Sequence, residues 1–151
     1  MTADNLERYI LLVDDDPNDR ELARIVFTEL GEESCAPAEV QIMSGGQEAL
    51  DFLTRLAAQP EQLPDVVLLD LNMPQVDGLS VLRSIRQNPA TATLPVVMLS
   101  TSRERSDVQR SYALGANAYV VKPLDYDRFR HTISSVMNFW AGQNQVNHQL
   151  S

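Results

Sequence analysis

Five short apolar runs, separated by stretches with helical periodicity, leave few folds open to this sequence. The runs are YILLV at 9–13, VQIM at 40–43, VVLL at 66–69, VVML at 96–99 and AYVV at 118–121. Runs of four or five residues rich in Val, Ile and Leu are what strands buried on both faces require. Between the first two, Leu22, Ile25, Val26 and Leu30 recur at helical spacing, with Asp16 as the N-cap, Pro17 at the first helical position and Gly31 as the stop. Ala49, Leu50 and Leu53 mark a second helix, and Leu79, Leu82 and Ile85 a third. A fourth runs from Asp107 to Leu114 and ends at Gly115; a fifth runs from Asp127 to Phe139 through Phe129, Ile133, Val136 and Met137. Strict alternation of strand and helix predicts an α/β fold, a doubly wound five-stranded parallel sheet with helices on both faces.

The length of 151 residues with 44% hydrophobic content suits one domain, expected over residues 1–140 and followed by a polar tail at 141–151. No internal repeat is visible. Segments 32–39 and 57–64 read as polar loops, and nothing after the fifth helix leaves room for an effector domain. Twelve Lys and Arg stand against 21 Asp and Glu, a net charge of −9 that argues against nucleic acid, whose phosphates call for clustered basic residues. A lone cysteine, Cys35, excludes an intrachain disulfide framework and agrees with a reducing compartment. The first residues carry no apolar signal region, and no run approaches the roughly 20 apolar residues of a membrane span. The expected location is therefore cytoplasmic.

Ligands of doubly wound sheets sit at the carboxyl ends of the strands. Here strand one ends in Asp14-Asp15-Asp16, strand three runs into Asp70, strand four into Ser100-Thr101 and strand five into Lys122-Pro123. Carboxylates, a hydroxyl and an ammonium thus converge on one edge. Two carboxylates about 5 Å apart repel by roughly 3 kcal/mol at an effective dielectric near 20, so the cluster asks for a cation. Oxygen ligands with waters suit Mg²⁺. Beside a metal and a lysine, a carboxylate can act as a nucleophile toward a phosphoryl group, and the Ser100 hydroxyl can donate to a phosphoryl oxygen that is present only after transfer.

The segments LLVDDD (11–16), LLDLNMPQVDG (68–78), PVVMLSTS (95–102) and YVVKP (119–123) together resemble the receiver domain of two-component response regulators, over residues 9–140. The resemblance implies a flavodoxin-like (βα)5 fold with strand order 2-1-3-4-5. It makes Asp70 the phosphoacceptor, Asp15 a direct Mg²⁺ ligand, Asp14 a ligand acting largely through coordinated water, and the backbone carbonyl of Asn72 the third protein ligand. Ser100 becomes the switch hydroxyl, Tyr119 the switch aromatic, and Lys122 the phosphoryl contact, its bond to Pro123 expected to be cis. The implied partner is a sensor histidine kinase docking on Pro17, Asn18 and Leu22 of the first helix and on Pro123 and Leu124. Further likenesses, Cys35-Ala36-Pro37, Thr101-Ser102-Arg103 and Asn138-Phe139-Trp140, resemble small phytochrome-associated response regulators, which implies a light-sensing kinase and a homodimer through Phe139 and Trp140.

Simpler readings stand beside these. Three aspartates at Asp14–Asp16 exceed what a helix cap needs. The spacing Asp14-x-Asp16-x-Asn18 brushes a calcium loop, but Asp19 stands where that loop needs Gly and Ile25 where it needs Glu. Either Ser100 or Thr101 offers the switch hydroxyl. Tyr119 on sequence alone is more often a half-buried packing residue than a switch, Phe139 and Trp140 are equally core, and His131, His148 and Cys35 have no evident role. Two other functions remain in view. An aspartate-nucleophile phosphatase of the haloacid dehalogenase kind would leave Asp70 unexplained, and a binding-only receiver would lack an acid, hydroxyl or lysine.

Overall fold

The computed structural model describes residues 8–33 and 38–143. Five strands, β1 (Arg8–Val13), β2 (Ala38–Met43), β3 (Val66–Asp70), β4 (Val96–Ser100) and β5 (Ala118–Val121), alternate with five helices, α1 (Pro17–Glu33), α2 (Gly46–Leu56), α3 (Gly78–Gln87), α4 (Arg105–Ala113) and α5 (Tyr126–Val136). All pairings are parallel, and the sheet order is β2-β1-β3-β4-β5, as expected of a flavodoxin-like fold.

The three inner strands feed two cores by simple alternation. Leu11, Val13, Val67, Leu69, Val96 and Met98 face one side, against Ala49 and Leu53 of α2 and Leu79, Leu82 and Ile85 of α3. Ile10, Leu12, Val66, Leu68, Val97 and Leu99 face the other, against Ala23, Val26 and Phe27 of α1 and Phe129, Ile133 and Val136 of α5. Because a strand's side chains point to opposite faces in turn, an unbroken apolar run is what a strand sandwiched between helix layers needs. The edge strands depart from the expectation of burial on both faces. All four residues of β5 are half-buried, and Glu39 and Gln41 of β2 are exposed, since each edge strand has a neighbour on one side only.

Several expected boundaries move. Strands β1, β3 and β4 each gain one residue, and β2 begins at Ala38. Glu32 and Glu33 belong to α1, and Ala38 and Glu39 to β2, rather than to a loop spanning 32–39. The loop at 57–64 contains a 3-10 turn, Pro60–Gln62. Helix α5 changes winding after Val136 and continues as a π-helical segment, Met137–Gln143, so residues 141–143 are not tail. No peptide bond among the described residues is cis; Lys122–Pro123 is trans, the isomer X–Pro bonds take unless packing imposes the other. Cys35, His148 and the tail from 144 onward lie outside the described residues. Among the described residues, no helix is long and apolar enough to cross a membrane.

The two glycines read as helix stops behave differently. Gly115 has φ +104 and ends α4, with Gly115 N–H donating to Tyr112 O and Ala116 N–H to Ser111 O. Gly31 lies inside α1, and a Cβ there would meet nothing within 4 Å. Gly31→Ala is therefore predicted to stabilise the fold by about 0.5–1 kcal/mol, because it lowers unfolded-state entropy without strain. Gly115→Ala is predicted to cost about 1–2 kcal/mol, since its Cβ also falls 2.9 Å from Arg86 Nε. Urea melts of the two variants check both signs; a destabilised Gly31→Ala would mean that α1 does end at that residue.

Candidate functional site

Each strand that ends at the site delivers its residue by register. Val13 pairs with Leu69, Asp70 with Leu99 and Ser100 with Val121, so Asp14, Asp70, Ser100 and Lys122 come side by side at the carboxyl edge. Helix α1 is capped as its sequence predicts: Asn18 N–H donates to Asp16 Oδ1 at 2.8 Å, and Pro17 occupies the first helical position. The loop after β3 folds back on its own strand, with Gly78 N–H donating to Leu71 O at 2.9 Å. A Cβ at Gly78 would lie 2.3 Å from the Asp70 carbonyl oxygen, so only glycine allows that approach. Gln75 in this loop takes φ 68, and Asp77 caps α3 by accepting from Ser80 N–H at 2.9 Å.

The Lys122 ammonium is the hub. Its Nζ lies 2.8 Å from Asp14 Oδ2, 2.9 Å from Asp19 Oδ2 and 3.9 Å from Asp70 Oδ2. Asp14 is committed on its other oxygen too, since Oδ1 accepts from Asp16 N–H at 3.0 Å. Asp70 Oδ1 is 3.4 Å from Asn72 N. Burial pushes the Asp70 carboxyl up, to about 7; Lys122 pulls it down, and Asp14 and Asp15 push it further up. Burial alone would lower Lys122, but the hydrogen bonds it donates to Asp14 and Asp19, with the charges of Asp14 and Asp70, outweigh it and hold the ammonium well above its ordinary range.

One carboxylate oxygen from each of Asp14, Asp15 and Asp70 can be chosen so that all three lie within 4.8 Å of one another. Ligands around an ion at 2.0–2.1 Å stand roughly 3–4 Å apart, so this hard oxygen set fits a small divalent cation with slight closure. Asn72 is exposed beside the cluster, where its backbone can contribute.

A second chain of contacts leaves the site through Ser100, which is fully buried. Its Oγ accepts from Ser102 N–H at 3.0 Å, and the Ser102 hydroxyl donates to Asp107 of α4 at 2.6 Å. Tyr119 is half-buried, packs against the α2–α3 core, and donates its hydroxyl to Ser102 O at 2.9 Å. Of the two candidate hydroxyl residues, Ser100 is the buried one and Thr101 is exposed. The sequence reading missed Ser102 and Asp19. Asp19 registered only as a mismatch to a calcium loop, and its place in the first turn of α1, just after the Asp14–Asp16 run, was the signal available.

The remaining candidates lie on the surface around the site or away from it. Pro17 and Asn18 are exposed, Leu22 and Pro123 half-buried, and Leu124 is 96% exposed. His131 is exposed on α5. Phe139 and Trp140 separate: Trp140 packs partly against the α1–α5 core, whereas Phe139 is 52% exposed. Their rings meet edge to face at 4.7 Å.

Residues 10–134 match the model of the response regulator receiver domain. The chain is 34% identical over 137 residues to response regulator Rcp1 of Synechocystis, covering 90% of both chains. The crystal structure of the Mn²⁺-bound form of Rcp1 superposes with a TM-score of 0.76, covering 90% of this chain and 96% of that one. The phosphorylated cyanobacterial phytochrome response regulator RcpA gives a TM-score of 0.75 at 33% identity, over 89% of this chain and 94% of its own. The bacteriophytochrome response regulator RtBRR is 44% identical with a TM-score of 0.67, over 89% of this chain and 80% of its own. This chain belongs to the response regulator receiver domain family, with two-component signalling as its setting.

Proposed function

We propose that this chain accepts a phosphoryl group on Asp70 from a histidine kinase, with Mg²⁺ held by Asp14, Asp15, Asp70 and the Asn72 carbonyl. The observation that carries the reading is the meeting of a buried carboxylate, two further acids, an ammonium and a buried hydroxyl at one sheet edge. An Asp70 oxygen forms a bond to phosphorus while the bond to the kinase's histidine nitrogen breaks, and that nitrogen keeps the electron pair. Lys122 offsets charge on the transferring oxygens, as does Mg²⁺ when bound. Ser100 then donates to a phosphoryl oxygen. Because Ser100, Ser102 and Tyr119 are linked by hydrogen bonds, movement of one biases the others and the start of α4. The output is a change of partner surface, not turnover of a small-molecule substrate.

The kinase docks on Pro17, Asn18, Leu22, Pro123 and Leu124, of which Leu124 is the large exposed anchor. Its likeness to Rcp1, RcpA and RtBRR favours a phytochrome-type kinase acting in the cytoplasm. The exposed Phe139 is the dimer contact, with Trp140 fixing it from the core side.

Intact mass after incubation with acetyl phosphate is expected to show one phosphoryl group that requires Mg²⁺ and disappears in Asp70→Asn, a nearly isosteric change. Persistent labelling of that variant moves the acceptor elsewhere.

The raised Asp70 carboxyl also fixes a pH dependence. A carboxyl protonated to about pH 7 when folded, against an ordinary value of 3.8, binds more protons in the folded state. Its stabilising contribution is complete below the ordinary value and is lost as pH rises through about 7. Without Mg²⁺, the melting temperature of wild type relative to Asp70→Asn should fall as pH rises from about 4 to about 7. Protons and metal compete, so apparent Mg²⁺ affinity should weaken by up to about tenfold per pH unit as pH falls below about 7. A flat difference between the two proteins across these pH values contradicts the burial argument. Phe139→Ser is expected to weaken self-association at least about tenfold, as loss of an aromatic anchor does. A sedimentation profile matching wild type would remove Phe139 from the interface.

A further inference from the structure

We propose that Asp19 is a positioning residue that holds the Lys122 ammonium away from Asp70 until a phosphoryl group arrives, and thereby sets how tightly that group is retained. This rests on the reading of Asp70 as the phosphoacceptor.

One ammonium is shared among three carboxylates. Nζ stands at hydrogen-bond distance from Asp14 and Asp19 but 3.9 Å from Asp70, so its shortest contacts exclude the residue it serves. A phosphoryl oxygen on Asp70 adds a further acceptor for an ammonium already shared between Asp14 and Asp19, and drawing Lys122 toward it weakens one of those two contacts. The two are not equivalent. The Asp14 side chain is 3% exposed and is tied through its other oxygen to Asp16 N–H, so parting it from Lys122 would strand a buried charge. The Asp19 side chain is 31% exposed. It also lies in the first turn of α1, where the unpaired N–H groups favour a negative charge. Asp19 can therefore release the ammonium into water-facing surroundings at small cost, whereas Asp14 cannot. It is the exchangeable partner, and its attraction for Lys122 opposes phosphoryl binding.

The test uses the full chain with beryllofluoride as the probe of the phosphorylated geometry, at saturating Mg²⁺, beside a separate Mg²⁺ titration. In Asp19→Asn the charge is gone but the shape is kept. The expected result is beryllofluoride binding roughly three- to tenfold tighter than wild type, with Mg²⁺ binding unchanged or weaker. Asp19→Glu, which keeps the charge, should return to wild-type affinity. A merely structural role would weaken both ligands together. Unchanged or weaker beryllofluoride binding in Asp19→Asn, with wild type binding normally, overturns the assignment of Asp19 alone. Failure of wild type to bind beryllofluoride overturns the reading of Asp70 along with it. Should Asp19→Asn fail to fold, Asp19→Ser carries the same expectation.

Discussion

The buried ammonium of Lys122 holds the carboxyl edge of the sheet together. Four carboxylates, Asp14, Asp15, Asp19 and Asp70, crowd the ends of β1 and β3 and the first turn of α1, and Lys122 contacts three of them. Without a cation among them, neighbouring charges at such separations cost several kcal/mol even in a polarisable interior. One lysine cannot neutralise four acids. Burial raises Asp70 toward neutrality, Asp14 and Asp15 add to it, and the surplus of acids over ammonium is the kind of charge a divalent cation offsets. The same lysine is fixed by backbone, since Lys122 N–H donates to Ser100 O, joining the ammonium to the strand that carries the buried hydroxyl.

The scaffold makes this crowding tolerable. Three inner strands with apolar residues on both faces anchor the edge, so the repulsion acts on a framework that buries Ile10 to Val13, Val66 to Leu69 and Val96 to Leu99 almost completely. Close-packed protein interiors have low compressibility and transmit strain instead of absorbing it. The less constrained parts lie where a response is needed. Strand β5 is half-buried throughout, and the only buried residue of α4 is Ser111. The contacts from Ser100 through Ser102 to Tyr119 and Asp107 therefore lead into loosely packed elements.

Much of this was legible in the sequence because it rests on local pattern. The apolar runs placed all five strands to within two residues at each end, and the strand-terminal residues Asp14, Asp70, Ser100 and Lys122 do share one edge. What the sequence did not disclose depends on tertiary surroundings. Gly31 has the composition of a helix stop, yet nothing in α1 forces a left-handed residue there, and the helix runs on to Glu33. A proline after Lys122 does not reveal its isomer. Burial of β2 and β5 is set by their place at the sheet edges rather than by their own composition. Asp19 is one acid among several in a helix start, and its contact with Lys122 spans 103 positions of chain. Phe139 and Trp140 are adjacent on a helical segment and so point in different directions, and only the fold shows which of the two meets the core.

The central claim is that Asp70 itself becomes an acyl phosphate. The most direct measurement is borohydride reduction of the protein after reaction with acetyl phosphate and Mg²⁺, followed by peptide mapping. Borohydride reduces an acyl phosphate to an alcohol and leaves free carboxylates untouched. The account predicts a single reduced site, in the peptide carrying Asp70. Reduction at Asp14 or Asp15, or a phosphoryl group that resists borohydride because it sits on a histidine or hydroxyl, would contradict it.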